Sequence, residues 1–247
     1  MYYNKSKITE DEAKDFDTIL SKAKVAFSLQ NSWYINGFYD GLSLFGEKGN
    51  DADAGMVFPK DGADITSYLV DVVANPNFSN DDGASGLAAI KDGSADVLFS
   101  GTWSAKDVKE ALGDNYAATS LPTFTVNGQK KQMKSFAATK AAAYNPNAKN
   151  PKAAAQFAAY LGSTEAQKLH YEMRAIPPTD KSLSDLTTDD VAAKAQADTM
   201  ANTALLQSGL SGMNDWWTPA ETFGKALVNK EITKDNADCN CNCKKKS

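Results

Sequence analysis

The chain has 247 residues, of which 42% are hydrophobic and 23% charged, and this balance is ordinary for a soluble globular protein of one or two domains. Its net charge of −5 argues against a nucleic-acid partner, because phosphate binding needs a positive surface. No apolar run approaches the length of a membrane span, and the absence of a P-loop or a dinucleotide-binding glycine motif argues against nucleotide binding.

Strands are predicted to alternate with helices through the first half of the chain. Thr9-x-x-Glu12 is a capping box, and apolar residues at helical spacing follow it, which predicts the first helix. The next predicted elements are a strand over residues 25–29, a helix from about 33 to 45, a surface loop over 47–62 and a helix from 64 that stops at 75–77. This alternation predicts an α/β layered fold.

Residues 90–103 are the most informative stretch of the chain. Gly93 suits the left-handed position that ends a helix, and a short buried strand over residues 95–99 follows it. Gly101 then allows a sharp turn, and Trp103 stands where the strand ends. Ligands of open α/β sheets bind outside the carboxyl ends of strands, so we expect a flat ligand to stack on Trp103.

The second half begins with short strands and ends in helices. Strands are predicted over residues 116–120 and 123–126, with a hairpin turn at Asn127-Gly128 and an extended segment over 135–144. Asn150 and Pro151 predict the start of a helix. That helix is predicted to end near residue 161. The other predicted helices cover residues 103–112, 163–174, 188–206 and 216–228, with a break at 176–178.

One ordered set of residues resembles a known family. The set consists of a helix that ends in K-x-G, an alanine, an apolar strand, G-x-W, a second helix and L-P-T-F. In this chain its defining residues are Lys91, Gly93, Ala95, Gly101, Trp103 and residues 121–124. This order resembles the extracellular solute-binding proteins of ABC transporters, in particular the maltose and maltodextrin receptors of low-GC Gram-positive bacteria. The resemblance covers residues 2–237 and the C-terminal part of the family pattern.

The resemblance implies an α/β fold of the type II periplasmic-binding-protein class, with two lobes. It implies that residues 1–124 and 179–238 form most of the C-terminal lobe and that 125–178 return to the N-terminal lobe. The tail, residues 239–247, departs from the family pattern and is expected to be disordered. Several large side chains of the returning segment would then lack part of their packing surface: Phe136, Phe157, Tyr160, Leu161, Leu169 and Tyr171. It also implies a malto-oligosaccharide ligand, a membrane permease as partner, and an extracellular, membrane-associated location.

The tryptophans are the candidate ligand-binding residues. All of them lie at the ends of predicted elements, and the resemblance assigns aromatic stacking on sugar to Trp33, Trp103 and Trp217. Asn31 occupies a position that is an acidic hydrogen-bond acceptor in the family, and Tyr34 and Tyr39 are weaker candidates. Adjacent tryptophans cannot both face one site on a helix, so Trp216 is expected to pack in the interior.

The sequence gives little reason to expect catalysis or a cofactor. His170 is the only histidine, and the three cysteines, Cys239, Cys241 and Cys243, all lie in the last nine residues. We therefore expect no enzyme activity, no cofactor and no metal, and we expect these cysteines to be exposed. Two alternatives stay open, a glycoside-processing enzyme, which would also line its site with tryptophan, and a non-functional gene fragment.

The start of the chain shows no export signal. Met1-Tyr2-Tyr3-Asn4 is not a basic region followed by an apolar core, and no cysteine lies nearby. We therefore expect the chain as written to carry neither a signal peptide nor a lipid anchor, although the family that it resembles is exported.

Overall fold

A computed structural model gives the structure of the chain and describes residues 1–137 and 139–237. The strands in chain order are β1 (Tyr2–Asn4), β2 (Val25–Phe27), β3 (Ser43–Leu44), β4 (Met56–Val57), β5 (Phe78–Asn80), β6 (Val97–Leu98), β7 (Tyr116–Ala118), β8 (Thr123–Val126), β9 (Gln129–Gln132), β10 (Ser135–Ala137) and β11 (Ala204–Leu206). The helices are α1 (Phe16–Lys22), α2 (Ser32–Ile35), α3 (Gly62–Ala74), α4 (Ser85–Asp92), α5 (Ala105–Leu112), α6 (Pro151–Leu161), α7 (Thr164–Arg174), α8 (Val191–Asn202) and α9 (Asn214–Val228).

The central element is a five-stranded sheet with the order β5-β2-β6-β1-β7. Strand β2 is parallel to both β5 and β6, whereas β1 is antiparallel to both of its neighbours. Strands β5, β2, β6 and β7 therefore all end at the same edge of the sheet, which we call the C-terminal edge. Parallel strands of this kind place the residues that follow them close together.

The main core lies on one face of the sheet and is rich in phenylalanine. Phe27 of β2 packs edge to face against Phe38 and Phe99, with ring centroids 5.3 and 4.9 Å apart. Phe16 and Phe124 extend this cluster, and all five rings are buried. Edge-to-face contacts between such rings stabilise a core beyond simple area burial.

A smaller core covers the opposite face. Successive strand residues point to opposite faces of the sheet. Ala26 and Leu98 therefore point away from the phenylalanine cluster and pack with Ile90 of α4 and Val108 of α5. The sheet is therefore covered by helices on both faces, which confirms the α/β class predicted from the alternation of elements. In the described ranges, no helix is long and apolar enough to cross a membrane.

Several local predictions are confirmed. The Thr9 backbone N–H donates to Glu12 Oε2 at 2.8 Å, and the Glu12 N–H donates to Thr9 Oγ1 at 3.3 Å, as a capping box requires. Gly93 ends α4 at φ 78°, in the left-handed region. The Asn127–Gly128 turn joins β8 to β9 with φ of 50° and 77°, which is the backbone of a two-residue hairpin turn.

Two predicted helices are longer than the helices that the structure shows. The helix predicted over residues 33–45 ends at Ile35, and a single 3-10 turn, Asn36–Phe38, follows it. Gly37 explains the ending, because its carbonyl accepts from the Lys134 N–H at 2.9 Å and a Cβ there would lie 2.4 Å from the Lys134 oxygen. The helix predicted over residues 188–206 likewise ends at Asn202, and the remainder forms β11, which pairs in parallel with β10.

The two helices that follow residue 150 bury almost nothing. Helix α6 has no buried residue, and α7 buries only Ala166. Phe157 is 62% exposed, and Tyr160 and Leu169 are also exposed, as the sequence predicts. The prediction is wrong for Phe136, which is buried in the main core because β10 pairs with β11 and holds its ring against two tryptophans.

Candidate functional site

The C-terminal edge gathers polar and aromatic residues from three neighbouring strands. Asn31, Trp33 and Tyr34 follow β2, and Trp103 follows β6. Asp81 follows β5 directly. Because β5, β2 and β6 are adjacent and parallel, these residues share one edge of the sheet, where ligands of α/β proteins bind.

Trp103 presents a largely free indole at this edge. Its side chain lies over Gly101, where a Cβ would be 2.1 to 2.5 Å from three atoms of the six-membered ring. The Tyr2 hydroxyl donates to the Gly101 carbonyl at 2.8 Å and fixes the turn. With one side against the backbone and 63% of the residue exposed, Trp103 offers a flat apolar surface to a ligand.

A second aromatic surface forms where α2 meets α9. The rings of Trp33 and Trp217 are nearly parallel, at 12°, with centroids 6.5 Å apart. Phe136 packs edge-on against both, at 5.1 and 5.7 Å. Trp33 and Trp217 are only partly buried, so each keeps part of its ring accessible to a ligand, and the buried Phe136 ring contacts both.

Trp216 has a different role from its neighbour. It is buried, and its Nε1 donates to the Ser32 carbonyl at 3.1 Å. This bond ties the start of α9 to the start of α2 and confirms that Trp216 packs in the interior. Tyr39, one of the two weaker sequence candidates, is also buried in the main core, where its hydroxyl lies 2.9 Å from that of Thr66.

Asn31 serves as the N-cap of α2. Its side-chain oxygen accepts from the Trp33 N–H at 2.8 Å, which satisfies a free donor of the first turn. The bond also orients the turn that carries Trp33. A role of Asn31 toward a ligand remains a prediction, and it would use the side-chain N–H groups.

Tyr34 packs edge to face against Phe27 of β2, with ring centroids 6.0 Å apart. Ser100 lies near its hydroxyl, and the Ser100 Oγ lies 2.9 Å from that of Ser104. Burial raises the pKa of Tyr34 above its ordinary value, and the negative charge of Asp81 adds to the rise. Tyr34 therefore stays a neutral hydroxyl beside the ends of β2 and β6.

Sequence reasoning missed several residues of this edge. Phe136 comes from a distant segment, and Glu221, one helical turn after Trp217, accepts from the Ser32 hydroxyl at 3.3 Å. Asp81 stands just before a helix start, where a carboxylate commonly serves only to complement the helix dipole. A signal for Glu221 existed, since residues four apart share a helix face, but nothing local marks Phe136.

The structure offers no metal centre within residues 1–137 and 139–237, where no group of three His, Cys, Asp or Glu side chains could hold an ion. His170 is exposed on α7. The cysteines at 239, 241 and 243 lie outside the described residues.

Comparison with known sequences identifies a protein family and a relative of this chain. A family model described as bacterial extracellular solute-binding protein matches residues 1–201. The maltooligosaccharide ABC transporter solute-binding lipoprotein of Streptococcus pneumoniae (strain ATCC BAA-255 / R6) is 27% identical, over 90% of this chain and 57% of that protein.

Solved structures share the fold. One determined with acarbose is 40% identical with a TM-score of 0.91, and it matches 97% of this chain and 65% of its own. The maltodextrin binding protein MalE1 from L. casei BL23, solved without ligand, is 24% identical with a TM-score of 0.80, over 98% of this chain and 66% of that chain. The chain thus spans between 57% and 66% of the length of these relatives.

The family match covers well over half of the chain, and the fold that it implies is the one observed. The resemblance inferred from residues 90–124 is therefore confirmed. This chain belongs to the bacterial extracellular solute-binding protein family.

Proposed function

We propose that the chain binds a malto-oligosaccharide as the solute-binding component of an ABC transporter. The observation that carries this proposal is the pair of aromatic surfaces at the C-terminal edge, Trp103 on one side and Trp33 with Trp217 on the other. The printed descriptions of the relatives, which name a maltooligosaccharide transporter and a maltodextrin binding protein, support the same ligand class.

The chemistry of the two surfaces suits a sugar chain. A pyranose ring has C–H faces, which pack on aromatic rings, and a rim of hydroxyl groups, which need hydrogen-bond partners. The aromatic faces are supplied by Trp103 and the Trp33–Trp217 pair, and polar groups such as Glu221 and Asn31 stand beside them. Two platforms on neighbouring strand ends fit an elongated ligand better than a single small molecule.

The proposed lobe division assigns residues 1–124 and 179–238 to one lobe and 125–178 to the other. The exposed apolar side chains of α6 and α7 support it, although Val126 and Met133 belong to the main core. In this proposal a ligand bridges two lobes and favours a closed form, which docks on a membrane permease outside the cell.

A glycoside-processing enzyme is the alternative function. It would need two carboxyl groups free to act on one glycosidic bond. Here Glu221 accepts from Ser32, and Asp107, which lines the cavity beside Trp103, is paired with Lys91, so these two carboxylates already have structural partners. Incubation with maltodextrin separates the two functions, because release of new reducing ends would show an enzyme, and we expect none.

Replacing Trp103 with alanine is expected to weaken maltotriose binding by roughly 1–3 kcal/mol, or about 5- to 150-fold, because a stacking platform is lost. Isothermal titration calorimetry of both proteins measures the effect, and intrinsic fluorescence should shift when wild type binds. Phe157→Ala is the matched control, since it removes an equally exposed aromatic ring from α6.

Unchanged affinity in Trp103→Ala would remove Trp103 from the site. Failure of the wild-type chain to bind maltotriose or longer malto-oligosaccharides would contradict the proposed function, and would favour the non-functional fragment.

A further inference from the structure

A cavity of about 330 Å³ lies at the C-terminal edge, directly beside Trp103. Its walls come from the first turns of α4 and α5, and Leu98 of β6 contributes to its lining. The polar residues that line it include Asp81, Ser100 and Ser104. Any ligand stacked on Trp103 would have this cavity at its side.

Asp81 uses only one of its two carboxylate oxygens. Its Oδ1 accepts from the backbone N–H groups of Gly83 at 2.9 Å and Gly86 at 2.8 Å, and from the Ser85 hydroxyl at 3.3 Å. Across the described part of the chain, no group donates to Oδ2, and no Lys, Arg or His forms an ion pair with Asp81. Asp81 is 7% exposed as a whole residue, and among the described residues its Oδ2 is not one of the fully buried polar atoms that lack a partner, so this oxygen is open to a donor from outside.

The position of this carboxylate depends on Gly86. A Cβ on Gly86 would lie 2.7 Å from Asp81 Cγ and 2.8 Å from Oδ2. Because Gly86 has no side chain, the carboxylate fits against α4, and Asp81 is one of the residues that line the cavity. Oδ1 is thus committed to the start of α4, and Oδ2 is the acceptor that remains.

The same cavity is lined by two neighbouring hydroxyl groups, those of Ser100 and Ser104. Their oxygens lie 2.9 Å apart, so one donates to the other. Two hydroxyls carry two protons, and the bond between them uses one. One proton therefore remains for a further partner, beside the acceptor offered by Asp81.

We propose that this cavity is a subsite that recognises one hydroxyl group of the sugar ring stacked on Trp103. The sugar hydroxyl donates to Asp81 Oδ2 and accepts the remaining proton of the Ser100–Ser104 pair. A hydroxyl group satisfies both partners, whereas an ether or acetal oxygen accepts but cannot donate. Asp81 is then a specificity-determining residue, and this inference rests on the proposed function.

The variant Asp81→Asn tests the free oxygen directly. Asparagine is as good a helix cap as aspartate, so its Oδ1 keeps the bonds to Gly83 and Gly86, while an NH₂ group replaces Oδ2. Maltotriose binding is expected to fall about tenfold or more, because a charged acceptor is lost and a donor takes its place. Asp82→Asn is the matched control, since this exposed neighbour caps the same turn with its Oδ1, and less than a twofold change is expected there.

A set of monodeoxy maltotrioses identifies the hydroxyl group. Deletion of one hydroxyl should weaken binding to wild type about tenfold but binding to Asp81→Asn less than twofold, since that variant has already lost the partner. Circular dichroism and thermal unfolding check that the variants fold. If Asp81→Asn does not fold, Ser104→Ala carries the test, with an expected loss of about three- to tenfold.

The outcomes separate the two proposals. If wild type binds maltotriose and folded Asp81→Asn binds equally well, or if no deoxy sugar shows coupling to Asp81, the subsite is wrong and the proposed function stands. If wild type binds no malto-oligosaccharide, the proposed function fails and the subsite fails with it.

Discussion

Replacing Gly224 with alanine is expected to lower the free energy of unfolding by about 3 kcal/mol, the upper range for overpacking a core. Gly224 lies buried on α9, where a Cβ would be 2.3 Å from the Leu29 carbonyl oxygen and 2.8 Å from the Gln30 Cα. Both neighbours are backbone atoms at the end of β2, so neither can rotate away as a side chain would. The added methyl group must therefore push α9 off the sheet.

This displacement would also reach the candidate site. Helix α9 carries Trp217, which pairs with Trp33 on α2, and Trp216, which bonds to the Ser32 carbonyl. If α9 moves, the two rings separate. We therefore expect Gly224→Ala to weaken maltotriose binding even at temperatures where the variant is fully folded.

Urea unfolding with comparison of midpoints and m-values measures the loss of stability. Gly209→Ala is the matched control, because a Cβ at Gly209 meets nothing within 4 Å and its backbone is not in the left-handed region. The control should stay within about 0.5 kcal/mol of wild type. A loss below 1 kcal/mol in Gly224→Ala would mean that α9 does not approach β2 as closely as the structure shows.

Features that depend on neighbouring residues could be predicted from the sequence. Gly93 ends a helix because its backbone is left-handed, and Asn127-Gly128 forms a hairpin turn because both residues tolerate positive φ. Trp103 was found in the same way, since a strand, a glycine and a tryptophan in that order place an aromatic ring at the edge of a sheet.

Features that depend on distant contacts could not be predicted. Residues 204–206 have helical neighbours, yet they pair with β10, about 70 residues earlier in the chain, and become a strand. Phe136 joins the aromatic surface only because of that pairing. Asp81 shows its free oxygen only once Gly83, Ser85 and Gly86 are placed around Oδ1.

Hydrogen exchange is expected to be fastest, among the helices of more than ten residues, in α6 and α7. Each helix has 11 residues, which is too short for stability in isolation, and Ala166 is the one buried residue of the pair. Sequence reasoning places the least stable region at residues 134–178. The structure restricts the least stable region to the part after β10, because Phe136 of β10 is buried in the main core.

We expect a large difference in protection from hydrogen exchange between the central strands and helices α6 and α7. Strands β2 and β6 lie in the centre of the sheet and should exchange only through global unfolding, which costs about 5–15 kcal/mol in typical domains. Helices α6 and α7 can open without disturbing that sheet, so protection there should be at least about a thousandfold lower. Mass spectrometry of exchanged peptides measures both regions in one sample, and the β8–β9 hairpin, which packs on α1 and α3, serves as the internal control.

Equal protection in both regions would contradict the proposed lobe division. It would mean that another surface covers Phe157, Leu169 and the exposed Met173 in solution. Repeating the measurement over a range of protein concentrations would then identify that surface. Protection that rises with concentration indicates a second copy of the chain, because association stabilises by mass action, and protection that does not change indicates packing within one molecule.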